Sequence, residues 1–149
     1  MKRSGACPRM DGVLVAFSLL TGLWLVGCAT SEETKQQSKG YYQEGMASLE
    51  HDRQKAYVSF QKAVQLDPGN KEARYGLGHL LVYQGKLPQA ESEFRAAIKI
   101  DENYSEAHTY LGQVLAYQNR WPEAIAEFRR ALSNPLYSTP DLARFHLGK

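Results

Sequence analysis

The chain has 149 residues, and the part beyond its N-terminal segment is long enough for one ordinary domain. Its formal net charge is +2, but the part from Cys28 onward carries fifteen basic and fifteen acidic residues. A neutral body of mixed charge lacks the basic stripe that nucleic-acid binding requires, so that class of partner is excluded. Cys7 and Cys28 both precede the part expected to fold, which excludes a disulfide framework or a cysteine-based zinc site within it.

The N-terminal segment has the pattern of a signal peptide. Lys2, Arg3 and Arg9 precede a fourteen-residue, mostly apolar run at residues 13–26. A bilayer span needs roughly 20 apolar residues, so this run is too short for one. A positive end followed by a short apolar run is typical of a secretory signal.

The apolar run ends in "LVGC", residues 25–28, which resembles the bacterial lipobox. The resemblance implies that residues 1–27 are a lipoprotein signal peptide and that Cys28 becomes the acylated N-terminus. Several acyl chains, palmitate among them, would anchor it stably in a lipid bilayer. Ala29 follows the cysteine where inner-membrane lipoproteins carry aspartate, which suggests the periplasmic face of the outer membrane. An ordinary signal peptide and a short anchor with an unrelated cysteine are the alternatives.

A polar segment comes after the cysteine, and we expect residues 28–39 to form a tether. They have no place in the pattern that begins at residue 40. At roughly 3.3 Å per residue, the extended segment after Cys28 would hold the domain up to about 35 Å from the bilayer.

From residue 40 onward the sequence repeats itself every 34 residues. The spacing relates three sets of three residues and a pair of glycines, namely Ala56, Ala90 and Ala124; Phe60, Phe94 and Phe128; Ala63, Ala97 and Ala131; and Gly78 and Gly112. Large and small residues at helical spacing predict closely packed antiparallel helices in an all-α fold.

This period and pattern resemble the tetratricopeptide repeat (TPR). The resemblance implies an α-solenoid of antiparallel helix pairs in a domain spanning residues 40–149. Three repeats are expected at about residues 40–70, 71–104 and 105–140, with a partial fourth at 141–149. A solenoid ends in a cap with a polar outer face, and nine helical residues are a poor cap. The sequence therefore suggests a truncated copy of a longer protein.

The TPR resemblance also implies a partner-binding groove on the concave face, formed by the first helix of each repeat. Tyrosine is frequent there, and it offers apolar area with a hydrogen-bonding tip, which suits an extended peptide or a partner helix. For some of these tyrosines the alternative is packing between repeats. The lysine and asparagine clamp that grips carboxylates in some TPR domains is absent. The expected groove residues are Tyr42, Met46, Glu72, Tyr75, His79, Val82, Tyr83, Glu106, Thr109, Gln113 and Tyr117.

No constellation of residues predicts catalysis, a metal site or a cofactor. The four histidines lack a second ligand at i+3 or i+4, and no nucleophile elbow or phosphate loop is present. His108 occupies a packing position and is expected to be structural. Ser105 is expected to cap the helix that begins near Glu106.

One further stretch, "NPLYSTPDLARFHLG" at residues 134–148, is similar to a segment of the type IV pilus biogenesis lipoproteins, the pilotins. This resemblance implies a non-enzymatic, membrane-anchored adaptor that helps a secretin subunit assemble. The alternatives are a TPR lipoprotein that recruits cell-wall enzymes or a periplasmic protease, and the N-terminal part of a longer enzyme. The sequence predicts no oligomeric state.

Overall fold

The computed structural model describes the backbone of residues 22–148 and the side chains of residues 31–148. Most of the expected signal peptide and the side chain of Cys28 lie outside these described residues. The described chain folds into helices only, in the order α1 (Gly22–Ser48), α2 (Arg53–Leu66), α3 (Lys71–Tyr83), α4 (Leu87–Ile100), α5 (Ser105–Tyr117), α6 (Trp121–Ser133) and α7 (Pro140–Leu147). The prediction of an all-α solenoid is confirmed.

The helices pack as antiparallel pairs, α1 with α2, α3 with α4 and α5 with α6, and α7 packs on α6. Each short connection forces its two helices to run side by side in opposite directions. The first helix of each pair also contacts the first helix of the next pair, so α1, α3, α5 and α7 line up along one face. We call these four the inner helices, and their exposed side is the concave face.

Each repeat is built around one phenylalanine ring that packs on glycine. Phe60, Phe94 and Phe128 are at most 2% exposed. A Cβ added to Gly112 would lie 2.6 Å from Phe128, and one added to Gly78 would lie 2.8 Å from Phe94. Since real Cβ atoms essentially never come that close, only glycine lets the inner helix reach the ring at these positions. The 34-residue spacing therefore reflects a repeated contact between a ring and a helix backbone.

The connection inside a pair needs one residue in the left-handed conformation. Gly85 has φ of 71°, and Asn119, one period later, has φ of 61°. Glycine and asparagine are the residues that adopt this conformation most readily. The first repeat is one residue shorter here, and Asp52 caps α2 instead by accepting a hydrogen bond from the Lys55 backbone N–H.

The first repeat begins earlier than the expected boundary at residue 40. Helix α1 already includes residues 28–39, and Ser38 is fully buried. Its hydroxyl donates to the Ala63 carbonyl at 2.7 Å and accepts from the Asn70 side-chain amide at 2.9 Å. The expected extended tether is thus helical, and its end belongs to the domain. At 1.5 Å per residue, residues 29–39 span about 17 Å rather than 35 Å.

The third repeat is joined to α7 by residues 134–139, which include Tyr137 and which we call the inserted segment. This tyrosine is 8% exposed, and its hydroxyl lies 2.8 Å from the Thr109 hydroxyl on α5. The expected cap at Ser105 is wrong, because Tyr104 is the N-cap of α5 and Ser105 is its first helical residue. The Ser105 hydroxyl instead accepts from the Asn134 amide at 3.0 Å. The inserted segment is therefore fastened to α5 at both its ends.

Within the described part of the chain, no helix combines the length and the apolar character needed to cross a membrane.

Candidate functional site

The concave face carries a connected group of aromatic rings, centred on Tyr75 of α3. The Tyr75 ring centroid lies 5.5 Å from those of Tyr104 and Tyr110 and 6.0 Å from that of Phe94 in the core. Burial raises the pKa of Tyr75, with smaller contributions from the neighbouring Tyr110 and Tyr104. Tyr75 therefore belongs partly to the groove and partly to the packing between repeats, so both interpretations of the sequence apply to it.

His79 extends this group toward the end of α3. Its ring centroid lies 5.0 Å from that of Tyr110 and 5.5 Å from that of Tyr83, both in edge-on geometry. Burial lowers the pKa of His79 below its usual value of 6.5, so the imidazole is neutral at neutral pH. A neutral ring among tyrosines presents an aromatic wall to a ligand rather than a positive charge.

Beside His79 lies a pocket of about 490 Å³ that spans α3, α5 and α7. Tyr83 and Tyr117 are 64% and 58% exposed at its rim, and the Gln113 amide donates to the Tyr117 hydroxyl at 3.0 Å. We call this concave surface the tyrosine groove. It comprises Tyr75, His79, Val82, Tyr83, Tyr104, Tyr110, Gln113, Tyr117 and Leu142.

The groove continues toward α1 into a second pocket of about 390 Å³, which Tyr42 and Glu72 line. Burial, and then the charge of Glu72, raise the pKa of Tyr42. Met46 is 47% exposed one turn further along α1. Tyr42, Met46 and Glu72 therefore lie on the inner helices within reach of solvent, and their role in a groove stays a prediction.

The prediction that Thr109 lines the groove is wrong. It is 1% exposed, because its hydroxyl donates to the Ser105 carbonyl at 2.9 Å and lies against the Tyr137 hydroxyl. The inserted segment therefore covers Thr109 and removes it from the surface that a ligand could contact. Glu106, one turn earlier, stays half-buried and accepts a hydrogen bond from the Ser138 hydroxyl at 3.4 Å.

Three groove residues were missed from the sequence: Tyr104, Tyr110 and Leu142. Tyr110 stands one period after Gly76, which packs against Phe60. The Tyr110 ring instead points toward Tyr75 and His79. The change from glycine at position 76 to tyrosine at position 110 is the sequence signal that could have identified Tyr110 as a groove residue. Tyr104 precedes α5, and Leu142 belongs to the partial repeat, so neither lies at a family groove position in a complete repeat.

His108 is structural, as predicted. It is 4% exposed, its Nδ1 lies 2.6 Å from Glu127 Oε2, and its Nε2 lies 3.0 Å from the Glu102 carbonyl oxygen. Both ring nitrogens are thus engaged in joining α5 to α6 and to the preceding turn. Among the residues that the structure describes, no three His, Cys, Asp or Glu side chains come together as a metal site would require.

An apolar pocket of about 440 Å³ lies where α5, α6 and α7 meet. Trp121 is 55% exposed at its edge, and Ile125 is 38% exposed. These residues stand one period after Leu87 and Glu91 of α4, which are both partly buried, and Glu91 accepts a hydrogen bond from Arg120 in the turn between α5 and α6. We call it the terminal pocket. It adjoins the tyrosine groove, with which it shares Gln113 and Tyr117.

Comparison with protein families finds two overlapping matches. Residues 47–101 match one tetratricopeptide repeat model, and residues 75–141 match a second. No curated protein is a significant match in sequence.

Solved structures share the fold at low sequence identity. The TPR domain of Arabidopsis OM64 is 24% identical, with a TM-score of 0.69, and the match covers 77% of this chain and 97% of that one. The second TPR of Spaghetti (RPAP3), bound to the HSP90 peptide SRMEEVD, is 19% identical with a TM-score of 0.69, over 72% and 94% of the chains. Pseudomonas aeruginosa pilF is 24% identical with a TM-score of 0.71, over 78% of this chain and 53% of that one.

Proposed function

Residues 47–141 of the chain are tetratricopeptide repeats, and from this we propose that the protein is a membrane-anchored adaptor that binds a protein partner in its tyrosine groove. The observation that carries the proposal is the row of solvent-accessible aromatic rings on the inner helices. Aromatic side chains give large contact area at low entropic cost, which makes them frequent energetic centres of interfaces. Such a groove suits an extended peptide or the face of a partner helix.

The groove is supported by contacts that hold its rings in place before a partner arrives. Tyr83 lies under the Arg53 guanidinium at 4.7 Å, and Tyr117 accepts from Gln113. A surface that is already ordered loses less entropy on binding. RPAP3, which has a similar fold, is described with a bound peptide, and this analogy favours the same mode here.

The binding proposal is tested with the double variant Tyr83→Ser and Tyr117→Ser. Both side chains are more than half exposed, so the fold should tolerate the change. A matched control is Ile100→Ser, which alters an exposed apolar residue at the end of α4. Affinity capture from envelope extracts should lose the specific partner with the double variant and keep it with the control. Equal recovery with both variants would contradict binding in the groove.

For the anchor, we propose that Cys28 is acylated and holds the protein on the periplasmic face of the outer membrane. The support is the lipobox-like sequence at residues 25–28 and the alanine after the cysteine. Mass spectrometry of the mature N-terminus is the direct measurement. An acylated Cys28 is expected, and an unmodified terminus at another residue would refute the anchor.

For the biological context, we propose assistance to a secretin of the type IV pilus system. The support is the resemblance of residues 134–148 to the pilotins, and the fold shared with pilF is consistent with it. A deletion strain should contain fewer secretin multimers in its outer-membrane fraction. Complementation with a Cys28→Ser variant separates the need for the anchor from the need for the groove. Unchanged multimers in the deletion strain would exclude this context, and capture of a cell-wall enzyme or a protease would favour the scaffold alternative.

A further inference from the structure

The tyrosine groove is negatively charged at the end where α3 and α5 begin. Glu72 and Glu106 stand in the first turns of these helices, and Asp101 lies in the turn between α4 and α5. Burial, and then the charges of these carboxylates, raise the pKa of Tyr104, which lies among them. Lys71 is the cation in contact with this group, since it bonds to Asp101 and lies 3.8 Å from Glu72. We call these five residues the acidic end.

The charges of the acidic end do not balance. This end holds three carboxylates and one ammonium group, and the pocket beside Glu72 adds Asp67 and Lys39, so carboxylates outnumber ammonium groups by two. The closest partner of Lys71 is Asp101 rather than either glutamate. Glu72 keeps 46% of its side chain exposed, and Glu106 is half-buried. Two carboxylates are therefore left to interact with a positive charge that arrives from solvent.

The aromatic rings of the groove already pack against positive charges. Lys71 Nζ lies 5.2 Å from the centre of the Tyr104 ring, and the Arg53 guanidinium lies 4.7 Å from the centre of the Tyr83 ring. A cation over a tyrosine face is attracted by the ring quadrupole. The groove thus combines two features that favour a cation, exposed carboxylates and tyrosine rings.

The opposite end of the groove is lined by uncharged side chains. Val82, Tyr83, Tyr117 and Leu142 line the pocket there, and the neutral His79 ring forms part of its wall. Tyr117 stands eleven positions after Glu106 on α5, which corresponds to about 16 Å along the helix. An extended peptide rises about 3.3 Å per residue, so it covers this distance in about five residues.

We propose, on the basis of the groove function proposed above, that the partner of the tyrosine groove is an extended segment with a basic side chain and an apolar side chain about five positions apart. The lysine or arginine binds Glu72 and Glu106 at the acidic end. The apolar side chain enters the pocket beside Tyr83 and Tyr117.

This proposal distinguishes the chain from RPAP3, whose peptide SRMEEVD carries two glutamates and an aspartate. Such a peptide would place carboxylates against Glu72 and Glu106. Like charges brought together in this way lower affinity and act against the wrong partner. The charge of the groove therefore selects for basic segments and rejects acidic ones.

The test measures binding of labelled peptides to the purified full chain in detergent. The first peptide carries arginine and phenylalanine five positions apart in a glycine–serine background. In the second peptide, glutamate replaces the arginine, and the third is SRMEEVD. We expect the first peptide alone to bind, and its affinity to fall as salt is raised. Equal or stronger binding of either acidic peptide would overturn the proposal.

Substitutions test whether Glu72 and Glu106 bind the basic side chain of the peptide. Glu72→Gln combined with Glu106→Gln should weaken the arginine peptide about 3- to 10-fold, because two partly exposed ion pairs are lost. Glu33→Gln, on the exposed surface of α1, is the matched control and should change nothing. An unchanged affinity in the double glutamine variant would also overturn the proposal.

A random peptide library separates this proposal from the groove function itself. Peptides are selected on the wild-type chain and counter-selected on the Tyr83→Ser and Tyr117→Ser double variant. Enrichment of basic sequences supports the proposal. Groove-dependent enrichment of acidic or neutral sequences refutes the charge preference while the groove function stands. A library without any groove-dependent enrichment refutes both.

Discussion

The contact between Gly112 and Phe128 gives the sharpest test of how this fold is held together. Replacing Gly112 with alanine adds a methyl group 2.6 Å from one ring carbon of Phe128 and 2.8 Å from another. Gly40 is the matched control, because it also lies inside a helix and a Cβ added there meets nothing within 4 Å. Both substitutions replace a helical glycine by alanine, so both gain about 1 kcal/mol of helix propensity.

The difference between the two variants isolates the cost of the steric clash. Ordinary contact begins at 3.4 Å, so the ring or the helix must shift by about 0.8 Å to accept the methyl group at Gly112. The Phe128 ring has little freedom, since it is 2% exposed and stacks on His146 at 5.1 Å. Overpacking a closed core costs about 1–3 kcal/mol. Gly40→Ala should therefore be more stable than wild type by about 1 kcal/mol, and Gly112→Ala less stable than Gly40→Ala by about 1–3 kcal/mol.

Urea unfolding followed by circular dichroism at the helical band measures both variants against wild type. The free energies of unfolding come from the midpoints and slopes of the transitions. If Gly112→Ala were stabilised as much as Gly40→Ala, the inner helix could move away from the ring without cost. The argument that glycine sets the distance between the paired helices would then be wrong.

Three further predictions concern the first repeat, the groove and the turn inside a pair. Ser38→Ala should lower the free energy of unfolding by about 1–3 kcal/mol in urea titrations, because it leaves the buried Asn70 amide without its acceptor. The control Ser31→Ala changes an exposed residue and should leave the free energy of unfolding unchanged. An unchanged free energy in Ser38→Ala would mean that residues before 40 are not part of the fold. Burial lowers the pKa of His79 in the folded chain, so the unfolded chain binds the proton at a higher pH. The stability that neutral His79 contributes is therefore present above about pH 6.5 and is lost as pH falls through its folded pKa. Unfolding curves at about pH 7.5 and about pH 5 should show this loss in wild type and not in His79→Gln. Gly85→Ala should cost about 1 kcal/mol because φ is 71°, and Gly85→Asn should cost less in the same assay.

The regular part of the fold was predictable because each element of the pattern has one physical cause. The 34-residue period follows from the contact of Phe94 with Gly78 and of Phe128 with Gly112, and both residue types are visible in the sequence. Proline in the first turn of α4 and α6 marks their start, since its missing N–H costs nothing there. These signals are local in the sequence, so they can be recognised without knowing the tertiary structure.

The irregular parts were not predictable, because they depend on contacts between distant residues. Nothing near Ser38 indicates that its hydroxyl joins the Ala63 carbonyl and the Asn70 amide. In the same way, Thr109 occupies a family groove position, and only the fold reveals that Tyr137 covers it. Family positions therefore predict a groove whose partner binding stays a prediction. They fail at Thr109, where the segment between α6 and α7 reaches back onto an inner helix.

The structure separates groove residues that are free to vary from those that also hold the repeats together. Tyr83 and Tyr117 are more than half exposed, so their substitution should alter binding with little effect on stability. Tyr75 lies 6.0 Å from the core ring Phe94 and 5.5 Å from Tyr110 of the next repeat, so its loss would leave a cavity between repeats. Substitutions at the exposed residues Tyr83 and Tyr117 can thus change partner preference, whereas substitutions at Tyr75 would also destabilise the fold. The charge preference that we propose uses Glu72 and Glu106, whose side chains reach solvent and do not fill the core.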